Sequence, residues 1–214
     1  MQTIGLLGGT FNPIHFGHLR MAQELATAVH LDTIRFIPSA NPPHKTTPNV
    51  SAEHRAEMVR LAIENNPTLR LDIRELKRTG ASYTVDTLTS LREELGKDIS
   101  LVLIMGSDAF TKFNTWHRWE EIIQLCHIAL VERPQNIASK SEPLAKVLNT
   151  FLQNHYTENG DDLSTAAAGL VTMQRITALD ISSTNIRNIL HNKGSARYLL
   201  PDRVIDYIAQ NKLY

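Results

Sequence analysis

Residues 4–18 read Ile4-Gly5-Leu6-Leu7-Gly8-Gly9-Thr10-Phe11-Asn12-Pro13-Ile14-His15-Phe16-Gly17-His18. The run from Thr3 to Leu7 is short and apolar, which predicts a buried strand. Gly8 and Gly9 follow, where the backbone can turn sharply and approach a ligand closely. Asn12-Pro13 prolongs the turn. Gly17 and His18 open a helical pattern, with Leu19, Ala22, Leu25, Ala26 and Val29 recurring at helical spacing. Strand, glycine turn and helix start together aim free backbone N–H groups and the positive end of a dipole at one point, which suits a phosphate. His15 and His18 stand three residues apart where the helix begins. If the first turn holds there, both rings can face the same anion and donate to its oxygens. A lone histidine is more often a satisfied surface or core residue, and a Gly-Gly pair more often a plain turn. Their conjunction, after a strand and before a helix, predicts a nucleotide site.

The rest of the chain is consistent with an ordinary globular protein. Its 214 residues are enough for one sizeable core. A hydrophobic fraction of 42% and a charged fraction of 21% fit that class. The 22 basic and 22 acidic residues balance to zero net charge, which argues against a nucleic-acid or membrane-surface binder but leaves room for a local basic pocket. Cys126 is the single cysteine, so no intrachain disulfide is expected; it reads as a small core residue in a reducing cytoplasm. Met1 leads almost directly into the first strand, with no basic region and no long apolar segment, so neither a signal peptide nor a membrane span is expected. An oligomer is possible and unspecified.

Thr33 to Pro38 reads as a second strand, and strand, helix, strand with short links implies a parallel unit with a right-handed crossover. The loop 39–48 carries three prolines and leaves the ligand end of that strand, so His44 and Lys45 can reach an anion. Without the first motif, a solvated loop tip would be the simpler reading. Ser51 is an expected N-cap for a helix running to about Asn65. Leu69 to Ile73 alternates as a third strand, and Arg74 to Arg78 reads as a solvated connection. Ser82-Tyr83-Thr84 precedes a helix with Val85, Leu88, Leu91 and Leu95 inward, with Ser82 or Thr84 as its cap; this is a second candidate anion site. Ile99 to Met105 is the most continuous apolar run and so a central strand. It ends in Gly106-Ser107-Asp108, where the acid suits two ribose hydroxyls or, nearly as well, a helix cap. Phe113 and Trp119 have core spacing, whereas Trp116 follows a turn-like Asn114-Thr115 where a ring can lie open to a planar ligand. His127 to Glu132 is a strand stopped by Pro134, with Arg133 at the ligand edge. Residues 143–153 read as a helix, 159–161 as a turn, and Leu170 to Ile176 as a sixth strand. In Ile181-Ser182-Ser183-Thr184-Asn185-Ile186-Arg187, hydroxyls crowd another helix start with Ser182 as cap, and Arg187 lies about one turn in, near the same anion. Pro201 falls in the first turn of a last helix. Together these predict an α/β, Rossmann-like open and mostly parallel sheet with helices on both faces. One domain is expected over 1–214, with a helical C-terminal portion from about 182.

Gly8 to His18 resembles the T/HxGH nucleotidyltransferase superfamily, whose loop reads Gly-Gly-x-Phe-x-Pro-x-His-x-Gly-His. That superfamily more often has Asp where this chain has Asn12, which keeps the size and turn chemistry but not the charge. Ile181 to Arg187 resembles its second signature, Ile-Ser-Ser-Thr-x-Ile-Arg. Pro42-Pro43-His44-Lys45, Ser82-Tyr83-Thr84, Gly106-Ser107-Asp108 with Trp116, Arg133-Pro134 and the closing Leu-Leu-Pro and Leu-Tyr make the chain similar to the bacterial nicotinate-nucleotide adenylyltransferases along nearly its full length. Only 135–169 lacks a signature.

The resemblance implies adenylyl transfer from ATP to nicotinate mononucleotide. His15, His18 and Arg187 would be catalytic. Gly8, Gly9, Thr10, Phe11, Gly106, Asp108, Ile181 and Ser182 would join them in binding ATP. His44, Lys45, Ser82, Tyr83, Thr84, Trp116 and Arg133 would bind the mononucleotide. Mg²⁺ would be held mostly by ATP oxygens and water, with no dedicated metal site in the protein. The rivals are a related transferase acting on phosphopantetheine, against which Trp116 and the Ser82-Tyr83-Thr84 segment argue, and a non-catalytic nucleotide sensor, which would not require His15, His18 and Arg187 together. A metal site built on His15-x-x-His18 is a weaker reading, since no further Cys, His or acid clusters there and HExxH is absent.

Overall fold

The computed structural model describes residues 1–41, 49–132, 144–177 and 179–214. Among them one sheet of six strands forms, β1 (Gln2–Gly9), β2 (Thr33–Pro38), β3 (Leu69–Leu71), β4 (Ile99–Gly106), β5 (His127–Glu132) and β6 (Val171–Arg175). Their order is β3-β2-β1-β4-β5-β6, and every neighbouring pair is parallel, so the sheet is parallel throughout. Parallel neighbours need crossovers. Helices α1 (Phe16–Ala28), α2 (Ala52–Ile63), α3 (Thr84–Leu95), α4 (Ser107–Phe110), α5 (Trp119–Leu125) and α6 (Lys146–His155) lie within them, and α7 (Ser183–His191) and α8 (Asp202–Gln210) follow β6.

The sheet's two faces bury separate cores. Leu25, Met58, Ile186, Val204 and Ile208 pack with one face, drawing α1, α2, α7 and α8 together. Leu88, Leu91, Ile122 and Phe151 pack with the other. Cys126 lies in this second core, and burial pushes its thiol up to about 12, which makes it inert. β1 and β4 are the central strands, and the chain winds outward from them in opposite directions. A crevice opens at such a point, at the C-terminal ends of the strands, and residues 8–18 emerge there.

Several elements depart from the sequence expectation. β3 stops at Leu71 because the Asp72 carboxylate accepts from the Arg74 N–H at 3.0 Å and starts a 3₁₀ turn, Arg74–Lys77. That stretch is no solvated connection. Arg35 and Arg74 both pair with Asp72 and with Glu94 of α3. Burial alone would raise the Asp72 carboxyl, but the Arg74 and Arg35 guanidiniums outweigh it and hold the carboxyl below its usual range. Glu75 turns inward and accepts from the Thr87 hydroxyl at 2.8 Å. α3 starts after Tyr83 without a side-chain cap, because the Ser82 hydroxyl accepts instead from the Asn41 N–H. Ser51 caps α2 as expected. Pro201 stands at the N-cap of α8, one residue ahead of its first turn. The uninformative span 135–169 supplies α6 and a 3₁₀ turn, Gly160–Ser164, capped by Asn159.

Candidate nucleotide site

β1 carries Gly8 and Gly9 to the sheet edge beside Ile37 and Pro38 of β2. A Cβ on Gly9 would lie 2.9 Å from the Phe11 ring, so glycine there is what admits that ring. Phe11 is buried and left-handed, with φ of 46°. A non-glycine residue in that region costs on the order of 1–3 kcal/mol. The ring's contacts with Phe36 at 5.7 Å and edge-on with His18 at 5.2 Å hold it there. The Asn12-Pro13 bond beyond it is cis.

His15 occupies the N-cap of α1 and is only 5% exposed. Its ring lies 3.8 Å, centroid to centroid, from that of His18, at an interplanar angle of 30°. A Cβ on Gly17 would come within 3.0 Å of the His15 ring, so the glycine between the two histidines lets them meet. The helix start itself is less open than the sequence suggests. The Phe16 N–H donates to the Leu199 carbonyl at 3.0 Å and the His18 N–H to the His15 carbonyl at 2.9 Å. Two of the first amides of α1 are therefore already engaged within the fold. No acidic residue stands in the first turn to oppose an anion.

The second motif joins the first directly. Ser182 caps α7, accepting from the Asn185 N–H at 3.1 Å. The Ser183 hydroxyl donates to the Pro13 carbonyl at 2.8 Å, across 170 residues of sequence. Arg187 donates from Nη1 to the Asn12 carbonyl at 2.8 Å and from Nη2 to the Thr184 hydroxyl at 3.1 Å. The Ile181 carbonyl closes on Gly17, 3.5 Å from where a Cβ would stand. Arg187 thus lies beside the loop and holds its backbone.

On the opposite side of the switch point β4 ends at Gly106, where a Cβ would collide with the Asp108 carboxylate folded over it. Asp108 is exposed in the first turn of α4 and does not cap it, the N-cap being Gly106. Ser82 bonds Asn41 in both directions, its N–H donating to the Asn41 carbonyl at 2.9 Å and its hydroxyl accepting at 3.2 Å. Tyr83 and Thr84 follow at the start of α3. The Tyr83 ring lies against His117, 4.4 Å between centroids and 33° between planes. His117 neighbours Trp116, which is half-buried and meets Phe113 edge-on at 5.6 Å. The segment before α3 and the Trp116 segment therefore form one wall, and His117 is a member that the sequence did not single out. Nor did it single out Arg55 of α2, and it read Tyr214 only as part of the closing Leu-Tyr, whereas the Tyr214 hydroxyl donates to the Asn12 side-chain oxygen. His44, Lys45 and Arg133 lie outside the described residues. Among the described residues no group of three or more His, Cys, Asp or Glu could hold a metal, and no helix is long and apolar enough to cross a membrane.

A parallel sheet with two histidine rings in contact at its switch point, locked to a distant serine-rich helix start, is a nucleotidyltransferase frame. The chain belongs to the cytidylyltransferase-like family, whose pattern matches residues 6–189 and so spans both motifs. Within it the chain sits among the nicotinate-nucleotide adenylyltransferases. Proteins named "Probable nicotinate-nucleotide adenylyltransferase" from Hahella chejuensis and Dechloromonas aromatica are 47% and 45% identical to it, over 99% and 100% of this chain and 95% and 98% of theirs. The fold is also that of the solved Plasmodium falciparum nicotinic acid mononucleotide adenylyltransferase complexed with NaAD, at a TM-score of 0.72 and 17% identity, covering 100% of this chain and 98% of that one.

Proposed function

We propose that this chain transfers the adenylyl group of ATP to nicotinate mononucleotide, giving deamido-NAD and pyrophosphate in NAD biosynthesis. One observation carries the reading: the histidine loop and the Ser182–Arg187 helix start are bonded to each other through Ser183 and Arg187. The 5′-phosphate of the mononucleotide attacks the α-phosphorus of ATP in line. A new O–P bond forms, the bond to the α,β-bridging oxygen breaks, and its electron pair leaves with pyrophosphate. The nucleophile is already an anion at neutral pH, so the site needs no general base, and catalysis is positioning plus charge stabilisation.

In this reading His15 and His18 donate to the α-phosphate, and Arg187 meets charge on the leaving group with its remaining N–H groups. Backbone from Gly8 to Phe11, with Ile181 and Ser182, borders the phosphates. Asp108, over Gly106, accepts from ribose hydroxyls. His44, Lys45 and Arg133 approach the mononucleotide phosphate, as the family resemblance implies. The donors at the loop are nitrogens, whereas Mg²⁺ takes oxygen ligands, so a magnesium ion fits here as ATP's own companion, held by phosphate oxygens and water. When bound it would neutralise part of the triphosphate charge. The zero net charge and single buried thiol suit one cytoplasmic enzyme domain over 1–214.

The acceptor's ring is read by the wall of Ser82, Tyr83, Thr84 and Trp116. α3 has no side-chain cap, so the amides of its first turn are donors without intrahelical partners. The dipole adds to their preference for an anion. A carboxylate can accept there with both oxygens, whereas a carboxamide must turn its NH₂ toward donors. A charged hydrogen bond is worth about 1.5–3 kcal/mol, so kcat/KM is expected to favour nicotinate over nicotinamide mononucleotide by roughly tenfold to a hundredfold or more. Stacking hardly distinguishes the two rings, so Trp116→Ala is expected to weaken both acceptors by similar factors. Measuring kcat/KM for both in wild type and in this variant tests the assignment. Equal wild-type efficiency for acid and amide would refute it.

A further inference from the structure

Arg55 is 1% exposed, the largest fully buried side chain among the described residues. Among the described residues its guanidinium touches three carbonyls and no carboxylate: Nη1 donates to Thr10 at 2.7 Å, Nε to Val50 at 3.3 Å and Nη2 to Ala40 at 3.4 Å. Thr10 belongs to the histidine loop. Ala40 follows β2 and precedes Asn41, which is bonded to Ser82. One side chain therefore ties the loop after β1 to the segment that leads to the acceptor wall.

Two consequences follow from elementary chemistry. A trans peptide is planar, with its C=O and the next N–H pointing opposite ways. Drawing the Thr10 carbonyl back toward Arg55 turns the Phe11 N–H away from α2. Second, a guanidinium stays protonated even where burial opposes its charge, and a buried charge without a counter-charge is costly. Burial does push Arg55 down, with the Tyr214 phenol and Glu53 opposing. Glu53 is exposed, however, and the Tyr214 phenol is itself raised by burial. The Tyr214 hydroxyl and Arg187 both bond Asn12, and Arg55 bonds Thr10, so a phenol and two guanidiniums hold the loop's backbone side.

We propose that Arg55 is a positioning residue for the ATP phosphates: it orients the Thr10–Phe11 peptide so that its N–H faces the nucleotide, and it supplies a buried positive charge that the bound triphosphate balances. This rests on reading residues 8–18 as the ATP phosphate site.

The test compares wild type with Arg55→Gln and Arg55→Lys. The first reading is the rise in Tm given by ATP with Mg²⁺ and no acceptor; the second is KM for ATP and, separately, for nicotinate mononucleotide. Both variants are expected to have a lower Tm without ligand. In Arg55→Gln, KM for ATP should rise by about tenfold, as loss of a buried charge and its hold on the Thr10 carbonyl implies, while KM for the mononucleotide, which Arg55 reaches only through Ala40, Asn41 and Ser82, should rise several-fold less. The ATP-induced Tm gain should shrink in step, since it follows ligand affinity. Arg55→Lys keeps the charge but not the fork, and its KM for ATP should fall between the other two. A less stable Gln variant with wild-type KM for ATP and a wild-type Tm gain would make Arg55 a fold residue only. Should that variant not fold, the Lys variant decides: a KM raised more for ATP than for the mononucleotide supports the inference, and a wild-type value for ATP overturns it. If wild type itself shows no Tm gain with ATP, the phosphate-site reading fails rather than the role of Arg55.

Discussion

Replacing His18 with alanine is expected to lower kcat by about 10²–10³-fold, the usual effect of removing a donor that meets charge in the transition state. The structure explains why the loss falls on turnover rather than on folding. The His18 side chain is half-buried beside the loop, and its described contacts are with the His15 ring at 3.8 Å and the edge of Phe11 at 5.2 Å. Losing ring contacts of this kind costs stability by only about 0.5–1.5 kcal/mol. Steady-state turnover together with a denaturation midpoint separates the two effects. Near-normal kcat in His18→Ala removes this residue from the mechanism.

Arg187→Lys is expected to lose most activity, on the order of a hundredfold, because a lysine cannot reproduce a forked donor. The geometry makes the substitution worse than loss of one phosphate contact. Nη1 fixes the Asn12 carbonyl and Nη2 the Thr184 hydroxyl, so the same guanidinium sets both the loop and its own direction. An ammonium placed to hold Asn12 leaves the phosphates without its charge, and one turned to the phosphates releases the loop. Arg70→Lys, on the exposed edge strand β3, should leave turnover within about twofold, as surface substitutions do. Equal tolerance at the two positions would reduce Arg187 to a solvated helix residue.

Some of this molecule is written locally. β2 has the expected bounds because its apolar run ends at Pro38, and Ser51 and Ser182 cap their helices as expected because a cap is a contact of a few residues. Where the chain differs, the deciding partner is far away. Arg74 and Glu75 read as solvent-facing until Asp72 and Glu94 neutralise the first and Thr87 receives the second. The hydroxyl of Ser82 is a natural cap, but Asn41 takes it. The α1 start looks open until Leu199 takes the Phe16 N–H. His117 carries no signal of its own before Tyr83 is folded against it. Arg55 was the legible omission: with Met58, Val59 and the later Ile63 it lies on the apolar face of α2, where a cation needs a reason.

The proposed adenylyl transfer stands or falls on the acceptor. Pyrophosphate release should be followed with ATP and Mg²⁺ alone, then with nicotinate mononucleotide, and then with phosphopantetheine. Release is expected only with the nicotinate mononucleotide, matched mole for mole by deamido-NAD. Release with phosphopantetheine instead, or none with any acceptor from a protein that binds ATP, would contradict it.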